Sequence, residues 1–304
     1  MSVNSSMGHA TQLGVKKESS YGTAVVVDTR LVFVSETMAK RGVIVERDGL
    51  RGTRAHVSED TRTGPYSVAG QVVLEPTPED LAVLFPFILG ADASGTTFAL
   101  AETLPSFTLV VDRVAKVFTY AGCKVARATF SGSSGSLLRL VLDIVAQSES
   151  VGNAGTFPSL TASITQPYIF HDLVMTLQSA AKKLASFELT IDNGLITDRF
   201  LNSTTIVSLP EGDRVITLGV VVPYSTGTGT TGNTDLYAQA LAGAAGSLVF
   251  TNAGYSTTFN FGTLQVPDNS PTAAGRGEIP LNLEMVARRV SSTPELNVIH
   301  DSTA

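Results

Sequence analysis

Hydrophobic and polar residues alternate with a period of two along several stretches of this chain. Leu138, Leu140, Leu142 and Ile144 fall on one side, and Arg139, Val141 and Asp143 on the other. Ala185, Phe187, Leu189 and Ile191 alternate with Ser186, Glu188, Thr190 and Asp192, and Leu281, Leu283 and Met285 with Asn282 and Glu284. This pattern predicts antiparallel strands with one face on a core and the other on solvent. Further strands are predicted over 31–34 and 66–74. A helical period occurs once with clear punctuation: Leu81, Leu84, Phe85 and Ile88 share one face, Thr77 suits the N-cap, Pro78 the first helical position and Asp80 a capping box. Pro86 should kink or end this helix, and Gly90 should terminate it. A second helix is predicted from about Thr234, with Leu236, Tyr237, Ala240 and Leu241 on one side.

The order of these signals occurs twice. Asp48-Gly49-Leu50, closed by Arg54, is answered by Asn193-Gly194-Leu195, closed by Arg199, at an offset of 145 residues. The run from Val68 to Val73 is answered by Thr217 to Val222, with Gly70 opposite Gly219 at an offset of 149. A turn, a short helix and a small-residue stretch follow in each half, ending at Phe98 or Phe250, at an offset of 152. A fixed order with drifting offsets is what duplication followed by loop insertion leaves. The expected fold is all-β with minor α: two similar tandem sandwich or barrel domains, each with one flanking helix and a long loop. The boundaries read as an N-terminal arm over 1–24, a first domain over 25–150, a second over 151–292 and a C-terminal tail over 293–304. Residues 147–157, with Gly152-Asn153-Ala154-Gly155, are the expected linker.

Residues 36–64 stand apart. They carry Arg41, Arg47, Arg51, Arg54 and Arg62 among Glu46, Asp48, Glu59 and Asp60, with few large apolar residues. Two readings remain open at this level: a solvated long hairpin, or a mixed-charge arm that docks on another subunit. The second half has 196–210 in its place, with Arg199 as the sole arginine.

Composition narrows the function. The chain has 304 residues, 43% hydrophobic and 16% charged, which suits a globular protein with a sizeable core. Its net charge of −6 argues against a nucleic-acid binder that works by neutralising phosphates, though not against a surface that DNA only passes. Cys123 is the only cysteine, so no intrachain disulfide is expected, and it reads as a small, half-buried strand residue. The N-terminal residues show no signal-peptide pattern, and no stretch approaches the roughly 18 apolar residues of a membrane span. The missing signal and the absence of Trp argue against an outer-membrane barrel.

Chemistry is sparse. His9, His56, His171 and His300 are scattered and none has a metal-ligand spacing, so no metal, cofactor or catalytic residue is expected. Gly227-Thr228-Gly229-Thr230-Thr231-Gly232 matches a dinucleotide fingerprint literally. It lies in Gly/Thr low complexity, no parallel β-α-β unit follows, and after Asp235 the next acidic residue is Asp268. A loop is the better reading. The pairs Glu79-Asp80 and Glu59-Asp60 read as solvated carboxylates, the first at a helix N-terminus.

Several segments resemble the major tail (tail tube) proteins of siphophages. They are Gly14 to Ala24, Arg51-Gly52-Thr53-Arg54, Val68 to Pro76, Gly122-Cys123-Lys124-Val125, and Ala185 to Leu195. The resemblance spans roughly 12–290 and lies in the order of the segments. It implies a non-enzymatic virion protein whose rings stack into the tube between capsid and tail tip. The segment 36–64 fits a loop reaching the adjacent ring. The duplicated form implies a homotrimeric, pseudo-hexameric ring. The implied partners are other copies of the chain, a tape measure protein in the lumen, tail terminator and tail tip proteins, and duplex DNA passing without specific binding. No membrane partner is implied, and assembly would take place in the bacterial host cytoplasm. The alternatives are another self-assembling β protein, such as a capsid decoration or surface-layer protein, and an enzyme binding a nucleotide at 227–232.

Overall fold

The structure is a computed structural model that describes residues 5–177, 180–225, 242–265, 270–273 and 275–303. In the first half the strands are β1 (Gln12–Lys17), β2 (Thr29–Leu31), β3 (Phe33–Glu36), β4 (Ala39–Glu46), β5 (Thr61–Leu74), β6 (Thr97–Ala99), β7 (Phe107–Asp112), β8 (Lys116–Ser133), β9 (Arg139–Ala146) and β10 (Ser148–Asn153). The second half adds β11 (Leu173–Leu177), β12 (Ala180–Lys182), β13 (Ser186–Asp192), β14 (Val215–Pro223), β15 (Ala244–Asn252), β16 (Tyr255–Gln265), β17 (Pro280–Arg288) and β18 (Leu296–Asp301). The helix α1 (Pro78–Leu89) follows β5. The protein is all-β with minor α, as its alternation predicts.

One long antiparallel sheet runs β4-β5-β9-β8-β13-β14-β17-β16. The pairing scheme of its first four strands recurs in its last four. A second ladder runs β12-β11-β15-β16-β18-β6, and a third runs β2-β1-β7-β8-β10. Two strands therefore serve two ladders each. β8 pairs with β7 and β10 through its first half and with β9 and β13 through its second. It changes sheets at Gly122, whose φ of +67° only glycine adopts without strain, and where an added Cβ would lie 2.8 Å from the Gln147 side chain.

The strands form where alternation can bury one face. In β9, Leu140, Leu142, Ile144 and Ala146 are buried while Arg139, Val141, Asp143 and Val145 face out. α1 is capped as its sequence dictates: Thr77 accepts from the Asp80 N–H and Asp80 accepts from the Thr77 N–H. Pro86 does not end it. The helix continues to Leu89, and the Gly90 N–H bonds the Pro86 carbonyl, whose own ring only had to forgo one backbone donor.

Leu81, Leu84, Phe85 and Ile88 are buried in one continuous core that draws on both halves of the chain. Phe85 sits at its centre, with ring centroids 5.3 Å from Phe98, 6.3 Å from Phe130, 5.9 Å from Phe259 and 5.3 Å from His300. His300 Nε2 faces the Pro78 carbonyl at 2.9 Å and so carries its proton there, leaving Nδ1 to accept from Thr257 Oγ1 at 2.8 Å. Burial pushes its pKa below the usual histidine value.

Four local expectations are corrected. Residues 12–17 are not an extended arm but strand β1, whose Leu13 and Val15 are buried, because β1 pairs with β7 along its whole length. Residues 148–153, inside the expected linker, form β10 on the edge of β8. Glu79 and Asp80 are not free carboxylates: Asp80 is buried in the cap, and Glu79 accepts from Ser163 and Thr165 of the segment that crosses the helix start. Cys123 is fully buried rather than half-buried. The predicted helix from Thr234 and the loop at 227–232 lie outside the described residues.

Candidate assembly surfaces

Three surfaces stand out on the molecule. The first is the arm. β4 and the start of β5 form a hairpin stem, paired from Ala39↔Ala69 to Glu46↔Thr61, that projects beyond the rest of the sheet. Its residues 40–46 are exposed, including Val43, Ile44 and Val45, because β4 has no neighbour on its other side among the described residues. Arg41 and Arg62 stand on the stem. Arg47, Arg51 and Arg54 are brought together at the tip, around a hollow shared with Glu46, Asp48, His56 and Asp60. Arg51 pairs with Asp60, and His56 Nδ1 lies 2.6 Å from Glu46, a hydrogen bond that raises the imidazole's pKa. At the outermost point Leu50 is wholly exposed. Hydrophobic side chains of this size on an exposed edge are the usual marks of a surface that another chain covers.

The second half treats the corresponding segment differently. Residues 193–214, between β13 and β14, leave the sheet at the same end as the arm but are strapped down. Ile196 N–H bonds the Pro210 carbonyl at 3.0 Å, and Val207 N–H the Arg199 carbonyl at 2.9 Å. Lys124 Nζ holds Glu211 at 2.6 Å and the Leu209 carbonyl at 2.9 Å. Burial alone would raise the Glu211 pKa, but the hydrogen bonds from Lys124 and the Leu104 N–H outweigh it and hold the carboxyl below its usual value. The loop also supports the arm, since the Tyr66 N–H bonds the Thr204 carbonyl at 2.9 Å.

The third surface is the face of the long sheet turned away from the core. It is concave, with a hollow of about 770 Å³ across β9, β8, β13, β14 and β17. Register aligns its side chains in rows across the strands. Val73, Val141, Thr129, Thr190, Thr217 and Val286 make an uncharged row. Toward the arm lies the row Gln71, Asp143, Arg127, Asp192 and Val215, and away from it the row Arg139, Ser131, Glu188, Gly219 and Glu284. Arg127 donates to Asp192 from Nη2 at 2.8 Å and Nε at 3.1 Å, and Gln71 donates to Asp143 at 2.9 Å. The bond to Asp192 raises the Arg127 pKa further. The strand alternation already turned Arg139, Val141, Asp143, Glu188, Thr190 and Asp192 away from the core; which residues become their neighbours was set by strand order and register, which no local pattern contains.

Among the described residues, no group of three His, Cys, Asp or Glu side chains is arranged to hold a metal ion. None of their helices is long and apolar enough to cross a membrane. An open sheet edge, a projecting arm and a hydroxyl-rich outer sheet face are the main surface features of this β protein. The family model for phage tail tube proteins matches residues 8–287, and the chain belongs to that family. No curated protein matches the chain. The family gives it a structural role in the virion tail.

Proposed function

We propose that the chain is the major tail tube subunit of a siphophage, that it acts without catalysis, and that it closes into homotrimeric rings stacked around a DNA channel. One observation carries this reading: the seam between the halves. β4-β5-β9-β8 and β13-β14-β17-β16 repeat one pairing scheme, and they join where β8 lies antiparallel to β13. The same join between copies would bring the exposed edge of β4 to the Gln265 end of β16 of the next chain, past the stretch where β15 and β18 flank it. The eight strands alternate in direction, so that contact is antiparallel too, like the seam. A head-to-tail contact of this kind closes into a ring and uses up the open edge. Duplicated halves make three chains equivalent to six single domains, which supports the pseudo-hexameric ring. The concavity of the long sheet supports its placement as the lumen wall, and the direction of the arm supports a contact with the adjacent ring. Assembly in the host cytoplasm around a tape measure protein, ended by terminator and tip proteins, follows from the resemblance to siphophage tails.

Negative-stain and ring-averaged microscopy of the purified chain tests this reading. Hollow tubes with three chains per ring are expected. Six chains per ring would overturn the trimer, and flat lattices or isolated monomers without a lumen would favour a surface-layer or decoration protein.

A further inference from the structure

A duplex sliding along a wall is retained by every cation that reaches its phosphates, because each such contact adds about 0.9 to the salt slope of binding. In the row of the concave face that lies toward the arm, outside the hollow, stands the guanidinium of Arg127, its side chain half exposed. Register places it directly between Asp143 on β9 and Asp192 on β13. Asp192 bonds it directly, while Asp143, which accepts from Gln71, lies on the other side and acts on it through its charge alone. Lys124, on the same strand, is held by Glu211 and the Leu209 carbonyl with its side chain 13% exposed. At the other end of the face, Arg139 shares its row with Glu188 and Glu284 and the hollow with Glu75.

We infer that Asp192 and Asp143 are masking residues: Asp192 occupies the Arg127 guanidinium and Asp143 adds a second negative charge beside it, so that this face lets a duplex pass without capturing its phosphates. This rests on the reading of that face as the lumen wall. The arrangement explains why an arginine stands there at all. Paired with Asp192 it fastens β8 to β13, and its charge is overbalanced by the two carboxylates beside it. The face therefore combines cross-strand fastening with a local charge that repels a polyanion.

The test compares assembled tubes of the wild type, Asp143→Asn/Asp192→Asn, and the same pair with Arg127→Gln. The probe is a short fluorescent duplex, free or blocked at both ends by a bulky protein that cannot enter a lumen. Wild-type tubes should leave both probes unbound. The double variant should retain the free duplex, with binding falling about 3.5-fold per engaged Arg127 when salt rises fourfold, and should exclude the blocked one. The triple variant should return to wild type. Failure of the double variant to bind, or persistent binding by the triple variant, overturns the masking role. Retention of the blocked duplex as well would keep the masking role and overturn the lumen placement. If the double variant does not assemble, free-duplex titration of the unassembled chains decides masking alone.

Discussion

Replacing Phe85 by Ala should destabilise both halves of the protein together. Phe85 is wholly buried on α1, and its ring neighbours lie on four strands: Phe98 on β6, Phe130 on β8, Phe259 on β16 and His300 on β18. Two of these belong to the first half and two to the second. A buried Phe→Ala change costs about 3–5 kcal/mol, part of it for the cavity left behind. The upper part of that range applies here, because the surrounding side chains are anchored on paired strands and cannot collapse into the space. The four aromatic contacts that are lost, about 0.5–1.5 kcal/mol per pair, are part of that cost and not an addition to it. From the usual unfolding entropy per residue, a cooperative unit of 304 residues loses about 5–8 °C of melting temperature for 3–5 kcal/mol.

The assay is thermal unfolding of the unassembled chain, followed by calorimetry and far-ultraviolet dichroism. One transition is expected in the wild type, moved as a whole by Phe85→Ala, with Phe85→Leu moved less. Two transitions, only one of which shifts, would refute the shared core and make the halves independent domains.

The two glycines aligned by the sequence repeat should behave differently. A Cβ on Gly70 would lie 2.5 Å from the Met38 Cα and 2.6 Å from the Met38 nitrogen, so Gly70→Ala must push the β3–β4 crossing off β5 and should cost about 1–3 kcal/mol in urea unfolding. The nearest atom to a Cβ on Gly219 is 3.7 Å away, so Gly219→Ala should fall within about 0.5 kcal/mol of wild type. Because burial holds the folded His300 below its usual value of 6.5, its contribution is complete above that pH and is lost as pH falls through it. The urea midpoint should decline from pH 7.5 to 5.5 in the wild type and stay flatter in His300→Gln. Charge reversal at Arg51 and Arg54 together should leave the melting temperature unchanged and shorten or abolish tubes; normal tube lengths by microscopy would show the arm tip to be free surface.

The sequence by itself determined the elements that depend on nearby residues. Alternation marked β9, β13 and β17, and which of their side chains face the core, because side-chain direction in a strand is set by parity alone. The cap of α1 was legible to the residue, since Thr77, Pro78 and Asp80 act within one turn. The recurring order of signals pointed to the repeated pairing scheme that the long sheet displays. Tertiary structure decided what depends on partners distant in the chain. β1 and β10 have weak local patterns and exist because β7 and β8 offer them edges. Gly70 and Gly219 match in sequence, yet only Gly70 has a backbone crossing beneath it. Asp143 and Asp192 each read as an ordinary outward residue, and their row with Arg127 across three strands arises from register. Likewise 36–64 projects while 193–214 is strapped down, because only the second segment has Lys124 and the Tyr66 N–H within reach. Local spacing fixes direction and periodicity; which strand lies beside which follows from closing one core over the whole chain.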